Sequence, residues 1–261
     1  METIAGVVKS VGRIGAALLD QLYPPTCLAC DGPVARAHAL CAGCFARLRP
    51  ITSPLCPRLG VPFEVSLGPD VLSAEAIADP PPFDRARSAV LYNEIARTIV
   101  ARLKYSDRPE LARFCARLMV GAGRELLGDE PVLVPVPLHR SRQFKRLYNQ
   151  SAELSREVAK LTGLRVDETL VRRVKATRQQ VGLSADARQR NVAGAFRADA
   201  DLAARLRGRP VLIVDDVITT GATIRALTRT LRAAGAEKVD VLSFARVAIG
   251  DDLPDSRVPS I

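Results

Sequence analysis

From about residue 86 to residue 247 the chain alternates short apolar runs with stretches of helical periodicity. ARSAVLY (86–92) reads as a strand, and residues 93–104 and 109–127 carry apolar positions at three- and four-residue spacing, as helices do. PVLVPVPL (131–138) has the length and composition of a buried strand, and 149–162 returns to the helical pattern. VLIV (211–214) is apolar without alternation, the pattern of a parallel strand covered on both faces. A helix follows in ATIRALTRTLRAAG, with Gly235 as its stop, and then a strand in KVDVLSFARV. Strand and helix in alternation imply an α/β domain, a parallel sheet flanked by helices, over residues 84–249, with a tail at 250–261.

The pattern upstream is different. Ile4, Val7, Val8, Val11, Ile14, Leu18 and Leu22 fall on one stripe of a helix over residues 1–23. That stripe needs an apolar partner. Packing on its own protein is one reading, and peripheral membrane or partner contact through residues 4–22 is the other, although the polar face carries only Lys9 and Arg13 as cations. Residues 57–83 are proline-rich and end in DPPPFD, which continues neither a helix nor a central strand, so 61–83 reads as a connector. Lys9, Arg13 and Asp20 interrupt any signal-peptide core, and no run is long and apolar enough for a membrane span. The chain is therefore expected to be cytoplasmic, where thiols stay reduced.

Reducing surroundings change the meaning of six cysteines in 261 residues. CLAC (Cys27, Cys30) and CAGC (Cys41, Cys44) are two C-x-x-C pairs with ten residues between them, enough for four thiolates around one zinc ion in a small module over residues 24–60. A redox dithiol and ordinary buried cysteines are the alternatives. Such a zinc would be structural, because four protein thiolates leave no position for substrate. His38 breaks the paired pattern, and Cys56 and Cys115 stand apart.

Charge narrows the choice of partners. The formal net charge is +10, and residues 140–190 hold 13 Lys and Arg against 5 Asp and Glu, so most of the excess lies in one block. Phosphate-bearing ligands and nucleic acid both suit such a block, and so does a merely solvated surface. PVLVPVPLHR leads into it with Arg140, Arg142, Lys145 and Arg146, a candidate region for pyrophosphate or nucleic acid, and the polar, Gln-rich stretch 175–191 has the composition of a mobile hood.

The candidate chemistry is concentrated in VLIVDDVITTGATI (211–224). Asp215 and Asp216 arrive at the carboxyl end of a strand, where open α/β sheets bind ligands. Thr219, Thr220, Gly221, Ala222 and Thr223 then lead into a helix whose first N–H groups lack partners, with hydroxyl donors alongside. A phosphate cradle beside two carboxylates suits ribose hydroxyls and a magnesium ion. Neither the G-x-x-x-x-G-K-[ST] loop nor G-x-G-x-x-G after a strand occurs.

VLIVDDVITTGAT resembles, position by position, the phosphoribosyl pyrophosphate (PRPP) motif of type I phosphoribosyltransferases. With LYPPTCLAC, VPVPLHRSRQFKRLYNQ and TRQQVGLSADARQRNVAGAF, nearly the whole chain is similar to the competence protein ComF family. The resemblance implies a type I phosphoribosyltransferase-like fold with a small N-terminal zinc ribbon held by four cysteines. It implies that Asp215 and Asp216 hold the ribose hydroxyls as the catalytic acids, that residues 219–223 hold the 5-phosphate, and that the loop after His139 takes pyrophosphate. It also implies a part in DNA uptake and natural transformation. Two departures stand out: Arg146-Leu147-Tyr148-Asn149 where many members have Arg-Gly-Phe-Asn, and CPRLG where a further C-x-x-C is expected after Cys56. Three functions follow as expectations: a PRPP- and magnesium-binding transferase (a glycosyltransferase-class enzyme) of unread acceptor, a non-catalytic single-stranded DNA-binding module on the same fold, or a nucleotide-salvage phosphoribosyltransferase.

Overall fold

The computed structural model describes residues 24–66, 68, 70–105, 109–138, 148–175 and 192–248. The stripe at 4–22, the basic loop containing Arg140, Arg142, Lys145 and Arg146, and residues 176–191 of the hood lie outside the described residues. Two compact units divide the chain, Met1–Arg47 and Leu48–Ile261.

The second unit holds a four-stranded, all-parallel sheet in the order β1-β6-β5-β2, built from β1 (Ala86–Leu91), β2 (Val132–Pro135), β5 (Val211–Ile218) and β6 (Val239–Arg246). Helices connect them, among them α3 (Glu94–Tyr105), α4 (Pro109–Ala122), α5 (Arg124–Leu127), α6 (Gln150–Thr162), α7 (Leu202–Leu206) and α8 (Ala222–Ala233). Every side chain of β6 is buried, as a central parallel strand requires. Val132, Val134, Val211, Ile213, Val239 and Val241 form one apolar cluster with Ile224, Leu227 and Leu231 of α8. The alternate residues Leu133, Leu212, Val214, Leu242 and Phe244, equally buried, point to the other face, where α4 and α6 pack on the sheet and on each other. The expected α/β architecture is the observed one.

Two stretches hold more structure than their composition suggested. Val171–Arg173 (β3) and Phe196–Ala198 (β4), on either side of residues 176–191 in the chain, pair antiparallel. Three-residue strands are too short for a period-2 signal to register. At the start of and within the proline-rich stretch, Leu55 bridges Pro62 and Ala74–Ala78 forms a one-turn helix, α2, capped by Ser73. Leu59, Val61, Ala76 and Phe83 of this stretch are buried in the same cluster as α8.

Candidate functional site

VLIV is only the first half of its strand. β5 runs to Ile218, so Asp215 and Asp216 lie within it rather than after it. The cause is unequal pairing on its two sides. β2 stops at Pro135, opposite Val214, whereas β6 continues beside β5 with Ser243 opposite Asp215 and Arg246 opposite Ile218. The last bond on the β2 side runs from the Val136 N–H to Val214 O at 3.0 Å. The acid pair therefore occupies a stretch of β5 paired on one side only, at the carboxyl edge of the sheet.

Both carboxylates are held in place. The Ser151 hydroxyl, in the first turn of α6, donates to Asp215 Oδ1 at 3.0 Å, and the Asp216 N–H donates to the same oxygen at 2.9 Å. Asp216 accepts from the Val217 N–H at 2.8 Å, and its other oxygen lies 2.9 Å from Lys104 Nζ, in the last turn of α3. Burial pushes the Asp215 carboxyl up to about 7 and the Asp216 charge adds to the rise, while the Ser151 hydroxyl, the Asp216 N–H and Lys104 oppose it. Burial works against the Lys104 ammonium, yet Asp216 and Asp215 outweigh it and hold the group above its ordinary range. One lysine and two acids thus form a compact charged cluster with Tyr92, whose phenol burial pushes up.

The chain then turns. Gly221 takes the left-handed conformation (φ 72°) at the N-cap of α8, with open space where a Cβ would stand and no side chain capping the helix. α8 has no acid in its first turn. Thr219 is half-buried and Thr220 is exposed beside this turn, and Ala222 is buried as the first helical residue. Asp215 and Asp216 near the carboxyl end of β5 and residues 219–223 at the start of α8 are therefore adjacent along one strand–turn–helix segment, with acids at one end and the positive end of a helix dipole at the other.

Sequence reasoning missed Lys104 and Ser151. Lys104 had a signal: Ala96 and Val100 are buried, so the i, i+4, i+8 spacing puts Lys104 on the buried side of α3, where an ammonium needs a carboxylate. Ser151 had none. Tyr148, which stands where phenylalanine was expected, uses the added hydroxyl to donate to the Leu103 carbonyl, and Asn149 caps α6 and donates to Val136 O at 3.1 Å. These bonds anchor the chain where it leaves the basic loop, one residue from Lys104.

In the first unit, Cys27, Cys30, Cys41 and Cys44 converge with their sulfurs within 4.8 Å of one another, and Cys30 Sγ lies 3.7 Å from Cys41 Sγ. Tetrahedral zinc with Zn–S bonds of about 2.3 Å separates its sulfurs by roughly 3.8 Å, so the four residues fit the metal. For Cys27 burial raises the thiol, but N–H donors led by Cys41 and Ala29 outweigh it and bring it down to about 6, whereas burial and the neighbouring cysteine thiols push Cys44 up to about 12. His38 is exposed and is not among the converging groups. Cys115 is buried in the other unit, its thiol pushed well up by burial, and so is inert.

Residues 18–76 match the double zinc ribbon domain family, and residues 103–260 match the phosphoribosyl transferase domain family. The chain is 34% identical over 229 residues to DNA utilization protein YhgH of Salmonella typhimurium, covering 85% of this chain and 97% of that one. The same protein of Escherichia coli K12 is 33% identical over 229 residues, with the same coverage. Competence protein F of Haemophilus influenzae is 30% identical over 226 residues, covering 84% of this chain and 96% of the relative.

Proposed function

The chain belongs to the phosphoribosyl transferase domain family and to the ComF family of Competence protein F, and from that premise we propose that it binds PRPP with magnesium at the carboxyl edge of β5. The observation that carries the reading is the acid pair on the one-sided stretch of β5, continuous with an uncapped helix N-terminus. Asp215 and Asp216 take the ribose hydroxyls, and Thr219, Thr220, Gly221, Ala222 and Thr223 wrap the 5-phosphate. Magnesium held beside Asp215 and Asp216 would supply charge neutralisation for the pyrophosphate. Lys104, which pairs with Asp216 at 2.9 Å, would compete with that cation for the carboxylate. Transfer here forms a bond from an acceptor to C1 of the ribose as the C1–O bond breaks and its electron pair leaves with pyrophosphate. Four thiolates close the zinc sphere, so the ribbon takes no part in that step.

The physiological setting follows from the relatives, whose names carry competence and DNA utilization: we place this chain in the uptake or use of incoming DNA. A second reading, single-stranded DNA binding on the same fold, is favoured by one observation. Arg172 and Arg197 are both exposed and sit directly opposite each other across the β3–β4 pair, beside Arg173 and a cavity of about 540 Å³. Like charges at paired positions repel unless an anion lies between them. Melting the protein with and without PRPP and magnesium tests the first reading: at a hundredfold excess over Kd the ligand adds about 2.7 kcal/mol to stability. The melting temperature is expected to rise only when both are present, and an unchanged melt at millimolar PRPP counts against the site.

A further inference from the structure

The stretch from residue 54 to residue 78 repeats the fold of the zinc ribbon lobe step for step. In the first lobe Thr26 bridges Pro33, and in the second Leu55 bridges Pro62. The Cys27 N–H donates to Gly32 O at 2.7 Å, and the Cys56 N–H to Val61 O at 2.8 Å. The Asp31 N–H donates to Cys27 O at 3.1 Å, and the Gly60 N–H to Cys56 O at 2.8 Å. The knuckle residue is left-handed in both, with φ 59° at Asp31 and 65° at Gly60. Downstream, the Cys41 N–H donates to Cys27 Sγ at 3.2 Å, and the Ser73 N–H to Cys56 Sγ at 3.4 Å. Each lobe then enters a short helix, Ala42–Arg47 (α1) in the first and α2 in the second. The N–H of its third residue donates 3.4 Å back to the residue before the helix, Cys44 to Cys41 Sγ and Ala76 to Ser73 Oγ. Even the exposed apolar side chain that follows is shared, Phe45 in one lobe and Ile77 in the other.

This correspondence assigns each ligand position a counterpart. Cys27, Cys30, Cys41 and Cys44 correspond to Cys56, Leu59, Ser73 and Ala76. Leu59 and Ala76 have no donor atom, and the Ser73 hydroxyl already caps α2. One thiolate remains where zinc needs four donors, so the second half of the double zinc ribbon does not fit a metal. Cys56, Leu59 and Ala76 are instead buried in the apolar cluster that α8 and the sheet share. The lobe is also tied to the edge of that sheet. Arg87 donates to Pro57 O at 2.9 Å, the Ala86 N–H to Arg58 O at 2.8 Å, and Arg246 to the Leu59 carbonyl.

We infer that residues 54–78 are a second ribbon lobe from which the metal has been replaced by an apolar plug, so that the chain carries one zinc and only its first lobe depends on it. The consequence is a division of labour between two copies of one motif: the first is held by metal and sensitive to chelation, the second is held by packing on the transferase-like domain and insensitive to it.

Metal analysis and hydrogen exchange on the full chain test this. The purified protein is expected to hold one zinc, Cys56→Ala to keep it, and Cys27→Ser to lose it. Stripping the metal with a strong chelator is expected to raise exchange in residues 24–47 and to leave 55–78 as protected as before. Two zinc ions per wild-type chain, loss of zinc in Cys56→Ala, or chelator-induced exchange across 55–78 would each overturn the proposal. The repeat itself is tested by restoring the ligands: Leu59→Cys, Ser73→Cys and Ala76→Cys together should raise stoichiometry from one zinc to two. A soluble triple variant that still binds one would show that the lobe lacks ribbon geometry.

Discussion

At the scale of single residues the most perturbed acid of the site is Asp215, whose carboxyl is pushed up to about 7 by burial and by Asp216. A carboxyl that is harder to ionise folded than unfolded contributes stability at low pH and loses it as pH rises through the folded value. Asp215→Asn removes that loss. The stability of the variant relative to wild type is therefore expected to grow between pH 5 and pH 8, by on the order of 2–4 kcal/mol at about 1.4 kcal/mol per unit, as measured by urea melts at each pH. An equal difference at the two ends would mean that Asp215 ionises normally. The acid pair was legible in the sequence because nothing in packing calls for two adjacent carboxylates after four buried residues. Lys104 was legible only through its place on a buried helical stripe, and Ser151 not at all, since a serine in the first turn of a helix has ample local reasons to be there.

Among the elements, periodicity found the long helices and the long strands because burial leaves a record at every turn, although the stretch 109–127, read as one helix, divides at Gly123 into α4 and α5. Where an element is short, or its limits depend on a neighbour, that record fails. β5 outruns VLIV because β6 continues beside it, a fact about another part of the chain. The second ribbon lobe was hidden for a different reason: of its four ligand positions only Cys56 kept the residue that identifies the motif, and the rest became apolar or polar residues of no special spacing. Two glycines make the contrast between these elements measurable. A Cβ on Gly60 would stand 2.2 Å from the Ala86 carbonyl oxygen at a left-handed position, whereas one on Gly221 meets open space at a similar φ. Gly60→Ala should cost on the order of 3 kcal/mol or more, and Gly221→Ala only the conformational cost of about 1–2 kcal/mol. Equal losses in denaturant melts would contradict the close seating of the second lobe on β1.

On the scale of the whole molecule, the sheet delivers acids and an uncapped helix to one edge, while the positive charge is concentrated in residues 140–190. No helix among the described residues is long and apolar enough to cross a membrane. If the basic block meets DNA phosphates, affinity for single-stranded DNA should fall steeply with salt, by a log–log slope of about −0.7 per phosphate neutralised. Replacing Arg140, Lys145 and Arg146 together with alanine should then flatten that slope by about two, and an unchanged slope in filter-binding titrations would remove this loop from the DNA surface. The PRPP site is independent of that outcome and is the central claim. It is tested most directly by calorimetric titration of PRPP into the protein, with and without magnesium, and into the Asp215→Asn/Asp216→Asn variant. Magnesium-dependent binding at wild type that weakens at least tenfold, about 1.4 kcal/mol, in the double variant is the predicted result; no heat with wild type, or equal affinity in the variant, would contradict it.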